Sequence, residues 1–340
     1  MKEQTPTLRS ALFAVPILLI LGIYGLGGEF SGTEQSYLAR AANSIAHISA
    51  SLYSPLYLIL LKGWGRWLES PFWLRLPNLI AAMAALLLSN RVMRSSGGAH
   101  AAPGALLLLA AAPFLIGQVQ LLSPSVLALV ATMAALLCFV DYLRTGSYVW
   151  LSLWVLAMLF AFGVHSGLAY LLLVKWLYML AYRDRFRNRQ RLWWIAQIPV
   201  TGFFIAVFGT GVQPWAQRLI ALPAAAPTDW TLLFAQMTIG VPRPAGLLGS
   251  GLLGLLLLCG IWASRDWRRD TRHGLLLLGA LTPCCLYFSP IGHASFGLAA
   301  LPFLCTLVSM GMRLFPRWGR QALWAAVALT YLYGYWYVFD

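Results

Sequence analysis

Along the 340-residue chain, long apolar runs alternate with short polar connections. The runs near residues 10–27, 73–90, 101–118, 122–140, 147–165, 167–182, 192–211, 245–262, 274–289, 296–312 and 321–338 read as membrane-crossing helices, several of them close to the lower length limit of roughly 17 residues. The pattern predicts an all-α polytopic membrane protein with about eleven transmembrane helices, as a single transmembrane domain over residues 1–340. The first run follows Lys2 and Arg9, is long for a signal-peptide core and lacks a small-residue cleavage site, so it reads as a first span.

Two connections are long, residues 28–72 and 212–244. Within the first, Leu38, Ala41, Ile45, Ile48 and Leu52 recur at steps of three and four, which predicts an amphipathic helix. Its polar face carries Ser36, Arg40, Asn43 and His47, while Glu34 falls on the apolar stripe. The stretch Tyr53 to Leu68 is apolar but short and interrupted by Lys62 and Arg66, so it is expected to lie in the interface with Trp64 and Trp67.

Composition removes the soluble alternatives. The chain is 60% hydrophobic and 10% charged, with a mean hydropathy of +0.73. A soluble domain carries about 25% charged residues. Lys and Arg number 24 against 10 Asp and Glu, a net charge of +14. In a membrane protein such an excess records topology, because cytoplasmic loops collect Lys and Arg. With residues 53–68 not crossing, the clusters at Arg91/Arg94, Arg144, Arg183–Arg191, Arg265–Arg272 and Arg313–Arg320 all fall on the side of the N-terminus. That side is therefore expected to be cytoplasmic, and the C-terminus outward. The basic clusters read as topology anchors and not as a nucleic-acid site. Apart from Arg75 at the mouth of its span, Lys175 is the one basic residue within a span, near a cytoplasmic end where it could snorkel.

Several chemistries lack their signatures. There is no Walker-type phosphate loop and no dinucleotide fingerprint. The five cysteines lie in apolar stretches without metal-ligand spacing, so neither a metal site nor a cofactor is predicted. The polar groups expected on the outward side are Glu34, Gln118, Gln120, His165, Arg218, Arg243 and His293. One carboxylate among cationic and imidazole groups suits an anionic, phosphate-bearing lipid substrate. Ser31-Gly32-Thr33-Glu34 also fits a helix capping box, giving Glu34 a structural role beside the reactive one.

The order GTEQSYLARA, SPLYLILLKGWGRWL, then LRLPNLIAAM resembles the GT-C fold membrane glycosyltransferases, in particular the protein O-mannosyltransferase and aminoarabinose transferase group. Glu34 and Tyr37 match that family's acidic pair and tyrosine, Pro55-Leu56-Tyr57 its second element and Arg75-Leu76-Pro77 its third. The likeness covers most of residues 10–310 and is specific in the first hundred. It departs at Thr33 and Ser125, where relatives carry acids, and at His165 and His293, where they carry basic groups. The resemblance implies transfer of a sugar from a polyprenyl-phosphate donor to a glycan, lipid or protein acceptor, at the outer face of a bacterial cytoplasmic membrane. It implies Glu34 as the catalytic base, with Arg75 and the other outward cations holding the donor phosphate. Tyr37, Arg40, His47, Gln118 and Gln120 complete the expected substrate-binding set. The competing reading is a catalytically inactive relative acting as a structural or lipid-binding subunit, motivated by Thr33 and Ser125. A transporter ranks behind both, because charges within spans are so few.

Overall fold

The computed structural model describes residues 5–45, 54–98, 100–208, 230–239, 247–265, 270–287 and 294–339. The described residues form helices α1 (Thr5–Tyr24), α2 (Gly32–Ala42), α3 (Pro55–Gly65), α4 (Pro71–Gly97), α5 (Ala102–Ala110), α6 (Pro113–Val119), α7 (Ser125–Thr145) and α8 (Tyr148–Val164). They continue with α9 (Tyr170–Ala181), α10 (Arg187–Phe208), α11 (Trp230–Ile239), α12 (Leu247–Ala263), α13 (Thr271–Tyr287), α14 (Ala294–Met312) and α15 (Arg317–Phe339). No strand occurs among the described residues.

α14 is the axis of the bundle. Over its apolar window 94% of it is buried, and it packs on α5, α7, α12 and α13. Lipid offers no hydrophobic drive between helices, so contact depends on close backbone approach through small residues. Gly260 and Gly311 provide it between α12 and α14. A Cβ at Gly260 would stand 2.0 Å from the Leu307 carbonyl oxygen, and one at Gly311 would stand 2.1 Å from that of Leu256.

By length and apolarity, three described helices can cross a membrane: α4, α7 and α14. The α5/α6 pair becomes a fourth if counted together. Helical residues Phe13–Tyr24, Tyr148–Val164, Gly167–Ala181 and Gly249–Ala263 are apolar but shorter. Of the roughly eleven spans expected, three or four thus have the length and apolarity to cross among the described residues, and breaks within the apolar runs are one cause. The run 101–118 is not one helix but two, bent by 50°. Pro113 supplies no amide donor and forces Ala112 into an extended conformation (ψ 118°). The Tyr335 hydroxyl from α15 donates to the Ala111 carbonyl at the break (2.6 Å). The run 167–182 likewise begins at His165, which is extended (φ −158°) and precedes a single 3-10 turn.

Residues 53–68 contain α3, whose 11 residues span about 16 Å, roughly half of a bilayer core. Its C-terminal end is tied down by polar contacts. Lys62 donates to the Ala42 and Asn43 carbonyls at the C-terminus of α2, where a cation meets the negative end of the helix. Trp64 Nε1 donates to the Trp73 carbonyl (2.8 Å), which Pro77 four residues on leaves without its helical donor. The two indoles stack with centroids 4.5 Å apart. Tyr57, Leu58 and Leu61 of α3 then pack with Ala41, Leu74 and Leu122 in a small cluster apart from the main core.

Lys175 does not snorkel. It is fully buried, with Nζ 3.0 Å from Met158 Sδ and over the rings of Trp154 and Phe139. The neighbouring aromatics on α7 and α8 point it inward and replace water by cation–π attraction.

Replacing Gly311 with Ala should destabilise the bundle by about 1–3 kcal/mol, the usual cost of overpacking. Thermal unfolding in detergent, set beside Gly202→Ala where a Cβ meets nothing within 4 Å, provides the measurement.

Candidate functional site

The start of α4 carries the most constrained side chain of the described structure. Arg75 is 3% exposed, and a buried guanidinium must find partners for all five of its N–H groups. Nε donates to Glu34 Oε1 (2.8 Å) and Nη2 to Glu34 Oε2 (2.9 Å), a bidentate pair. Nη1 donates to the Leu26 and Gly28 carbonyls (3.0 and 2.7 Å), with Gly25 at 3.5 Å, and Nη2 to the Glu29 carbonyl (2.9 Å). The Phe30 ring lies 5.3 Å from Cζ. The connection between α1 and α2 is thus wrapped around one arginine.

Glu34 is equally engaged, at 1% exposure. It occupies the third position of the capping box on Ser31, whose amide donates to Oε2 (2.8 Å). The Leu122 amide, just before α7, donates to Oε1 (2.8 Å). With the two bonds from Arg75, each carboxylate oxygen has two donors, which fills its lone-pair sites. Burial by itself raises the Glu34 pKa. The hydrogen bonds from Arg75, Ser31 and Leu122, together with the Arg75 charge, outweigh it and hold the carboxyl below its ordinary 4.5.

Beside this pair opens a cavity of about 430 Å³, lined by Tyr24, Glu29, Ser31, Glu34, Arg75, Gln118, Gln120 and Gln236, with Pro113 and Phe114 among its apolar wall. The break at Pro113 lets α6 present Gln118 here. Gln120 Nε2 donates to the Leu21 carbonyl (3.1 Å) near the C-terminus of α1, and Gly25 leaves room for it, since a Cβ there would fall 2.4 Å from Gln120 Cδ. Glu29 is exposed, and its carboxylate makes no hydrogen bond or ion pair among the described residues.

Of the residues singled out from sequence, Glu34, Arg75, Gln118 and Gln120 meet at this cavity. The five N–H groups of Arg75 are committed to Glu34 and the loop carbonyls, which leaves none open for a phosphate in this arrangement. Tyr37 packs edge-on against Tyr57 (6.0 Å) and does not line the cavity, and Arg40 is solvent-exposed on the same helix. His165 is buried elsewhere, its Nδ1 accepting from the Gly167 amide (3.0 Å) beside Phe296. Ser125 is buried and accepts a hydrogen bond from Ser295 (3.4 Å). His47, Arg218, Arg243 and His293 lie outside the described residues. Sequence reading missed Glu29, Tyr24 and Gln236. Glu29 sits beside a Gly-Gly pair in the same outward loop, and that position was its only available signal. Among the described residues no group of three His, Cys, Asp or Glu side chains is placed to hold a metal.

The fold that carries this cavity is the GT-C fold of membrane glycosyltransferases. The chain is similar to ArnT from Cupriavidus metallidurans bound to undecaprenyl phosphate, with a TM-score of 0.65 and 15% identity, over 94% of this chain and 62% of that one. It is also similar to the oligosaccharyltransferase of Archaeoglobus fulgidus in its apo form (TM-score 0.64, 12% identity, 99% of this chain and 56% of that one). A third similar structure is the oligosaccharyltransferase AglB of the same archaeon with an inhibitory peptide and a dolichol-phosphate (TM-score 0.59, 12% identity, 99% of this chain and 55% of that one). The chain thus spans little more than half the length of these structures. Neither a family model nor a curated protein sequence matches it.

Truncating either member of the pair strands a buried charge, so Glu34→Ala and Arg75→Ala should each cost about 3–5 kcal/mol. Replacing both together should cost less than the sum of the single changes, which a double-mutant cycle of unfolding in detergent measures. Because the folded-state pKa of Glu34 is depressed, its stabilising contribution is complete above about 4.5 and is lost as pH falls through the lower folded value. The unfolding temperature of the wild type should therefore drop more steeply below pH 4.5 than that of Glu34→Gln.

Proposed function

We propose that the chain is a membrane glycosyltransferase that moves a sugar from a polyprenyl-phosphate donor to an acceptor hydroxyl at the outer face of a bacterial cytoplasmic membrane. The observation that supports it is the cavity at the start of α4, where a carboxylate without a described partner, Glu29, shares a wall with Gln118 and Gln236 in a GT-C fold. That some neighbours hold undecaprenyl phosphate or dolichol-phosphate agrees with a lipid-linked donor.

In this reading the acceptor oxygen attacks the anomeric carbon as the bond from that carbon to the phosphate oxygen breaks. Polyprenyl phosphate leaves with the electron pair. The acceptor proton passes to a carboxylate acting as general base. Glu34 was the expected base, but it can accept a proton only by releasing one of its four donors. Glu29 has oxygens to offer, so the base role goes to Glu29 and Glu34 becomes a positioning residue. The donor phosphate then falls to groups outside the pair, with Arg218, Arg243 and His293 as the candidates. The glutamines suit the sugar hydroxyls.

A second reading has its own observation: the committed Glu34–Arg75 pair and the buried Ser125 leave fewer reactive groups than the family pattern implies. The chain would then bind the lipid without turning it over.

Glu29→Gln should lower transfer of radiolabelled sugar from the lipid donor in reconstituted membranes by about 10²–10⁴-fold, with the unfolding temperature unchanged. Transfer unaffected by the substitution would exclude Glu29 as the base. Donor binding without transfer in the wild type would favour the non-catalytic reading.

A further inference from the structure

The largest cavity among those described lies at the other end of the bundle. From Arg75 to Arg91 along α4 the helix rises about 24 Å, so the two ends of this helix face opposite sides of the membrane. Near the far end a cavity of about 660 Å³ is ringed by Arg91 and Arg94 of α4, Arg144 of α7 and Arg272 of α13. Among the described residues of its lining the one carboxylate is Asp141, which stands 3.7 Å from Arg144 Nη1.

Topology anchors need only be basic and reside in the right loops, where they can splay into water. These arginines come from three separate helices and line one concavity, Arg94 half-buried and Arg91, Arg144 and Arg272 exposed at its mouth, and their mutual repulsion is one that a bound anion would relieve. Arg94 is held in place, its Nε donating to Asn90 Oδ1 (3.3 Å). Thr271 and Arg272 bring the first turn of the 17-residue α13 to the cavity, adding the positive end of a helix dipole. The Asp270 side chain already accepts from the Arg272 amide (2.9 Å), so guanidinium groups are the principal donors. The remaining wall is apolar, built from Leu137, Val140 and Leu275 among others.

We infer that this cavity binds a phosphate ester, and specifically the headgroup of an anionic glycerophospholipid drawn from the leaflet opposite the Glu29 cavity. Planar guanidinium groups pair with phosphate oxygens in bidentate fashion. The apolar wall accommodates the start of the acyl chains. The volume falls within the range of organic ligand sites, roughly 300–1,000 Å³. The site is separate from the proposed transferase centre and does not depend on that reading.

The test titrates delipidated full-length protein in detergent with phosphatidylglycerol and with phosphatidylcholine, counting bound lipids by native mass spectrometry. Arg91→Gln with Arg272→Gln should weaken phosphatidylglycerol binding at least tenfold. Arg317→Gln with Arg320→Gln removes the same charge from residues that do not line the cavity and should leave binding unchanged. Equal loss in both double variants, or loss in neither, overturns the proposal. Displacement of the lipid by millimolar glycerol 3-phosphate would assign the same phosphate chemistry to a soluble ester and overturn the lipid assignment. If the first double variant does not fold, Arg272→Gln alone, an exposed side chain at the cavity mouth, gives the same readout.

Discussion

A guanidinium taken out of water at the start of α4 sets the terms for everything around it. Arg75 cannot lose its charge, so burial obliges the chain to supply a counterion and a partner for every N–H. Glu34 provides the counterion from 41 residues away. The loop between α1 and α2 provides the carbonyls. Because those carbonyls converge on one planar group, the loop has a defined path, and that path places Glu29 at the mouth of the cavity. The amide of Leu122 joins the same carboxylate, tying the entry of α7 to the start of α2. One ion pair therefore registers three stretches that are remote in sequence, residues 25–34, the start of α4 and the entry of α7.

On the proposed function, this arrangement separates two jobs that a single acidic residue was expected to share. A carboxylate that caps a helix and neutralises a buried arginine has its lone pairs occupied and its pKa depressed. Both properties oppose accepting a proton from an alcohol. A base needs an open lone pair within reach of the substrate, and Glu29 offers it in the same cavity. The division follows from counting donors around Glu34, without reference to any relative. It also explains why the capping-box and reactive readings of Glu34, compatible on sequence, compete once partners are counted.

Much of the architecture near the site was legible. The capping box at Ser31–Glu34, the shortness of the helix at Pro55–Gly65 and the importance of Arg75 all follow from local spacing or from charge placement. What was not legible depends on pairing across distance. Nothing local to Arg75 says that its N–H groups are shared between a glutamate and a loop, and so it was read as a phosphate ligand. Pro113 was visible, yet its apolar surroundings made residues 101–118 look like one span. The bend matters because it turns Gln118 into the cavity. His165 was grouped with Glu34 by side of the membrane alone, and a shared side is a weak constraint on shared position.

α4 also shows how one helix can serve two unlike ends. Its first turn buries an arginine with full compensation, and its last turns present two arginines with little. The contrast is physical. At the Glu34 end the positive charge is neutralised within the protein, so the cavity there is free to be polar and nearly uncharged apart from Glu29. At the other end the described lining sets four guanidiniums against one carboxylate, the imbalance on which the proposed phosphate site rests. On the two proposals, a single helix would join a cavity suited to neutral hydroxyl-bearing groups to one suited to an anion, and the difference lies in where the counterions are placed.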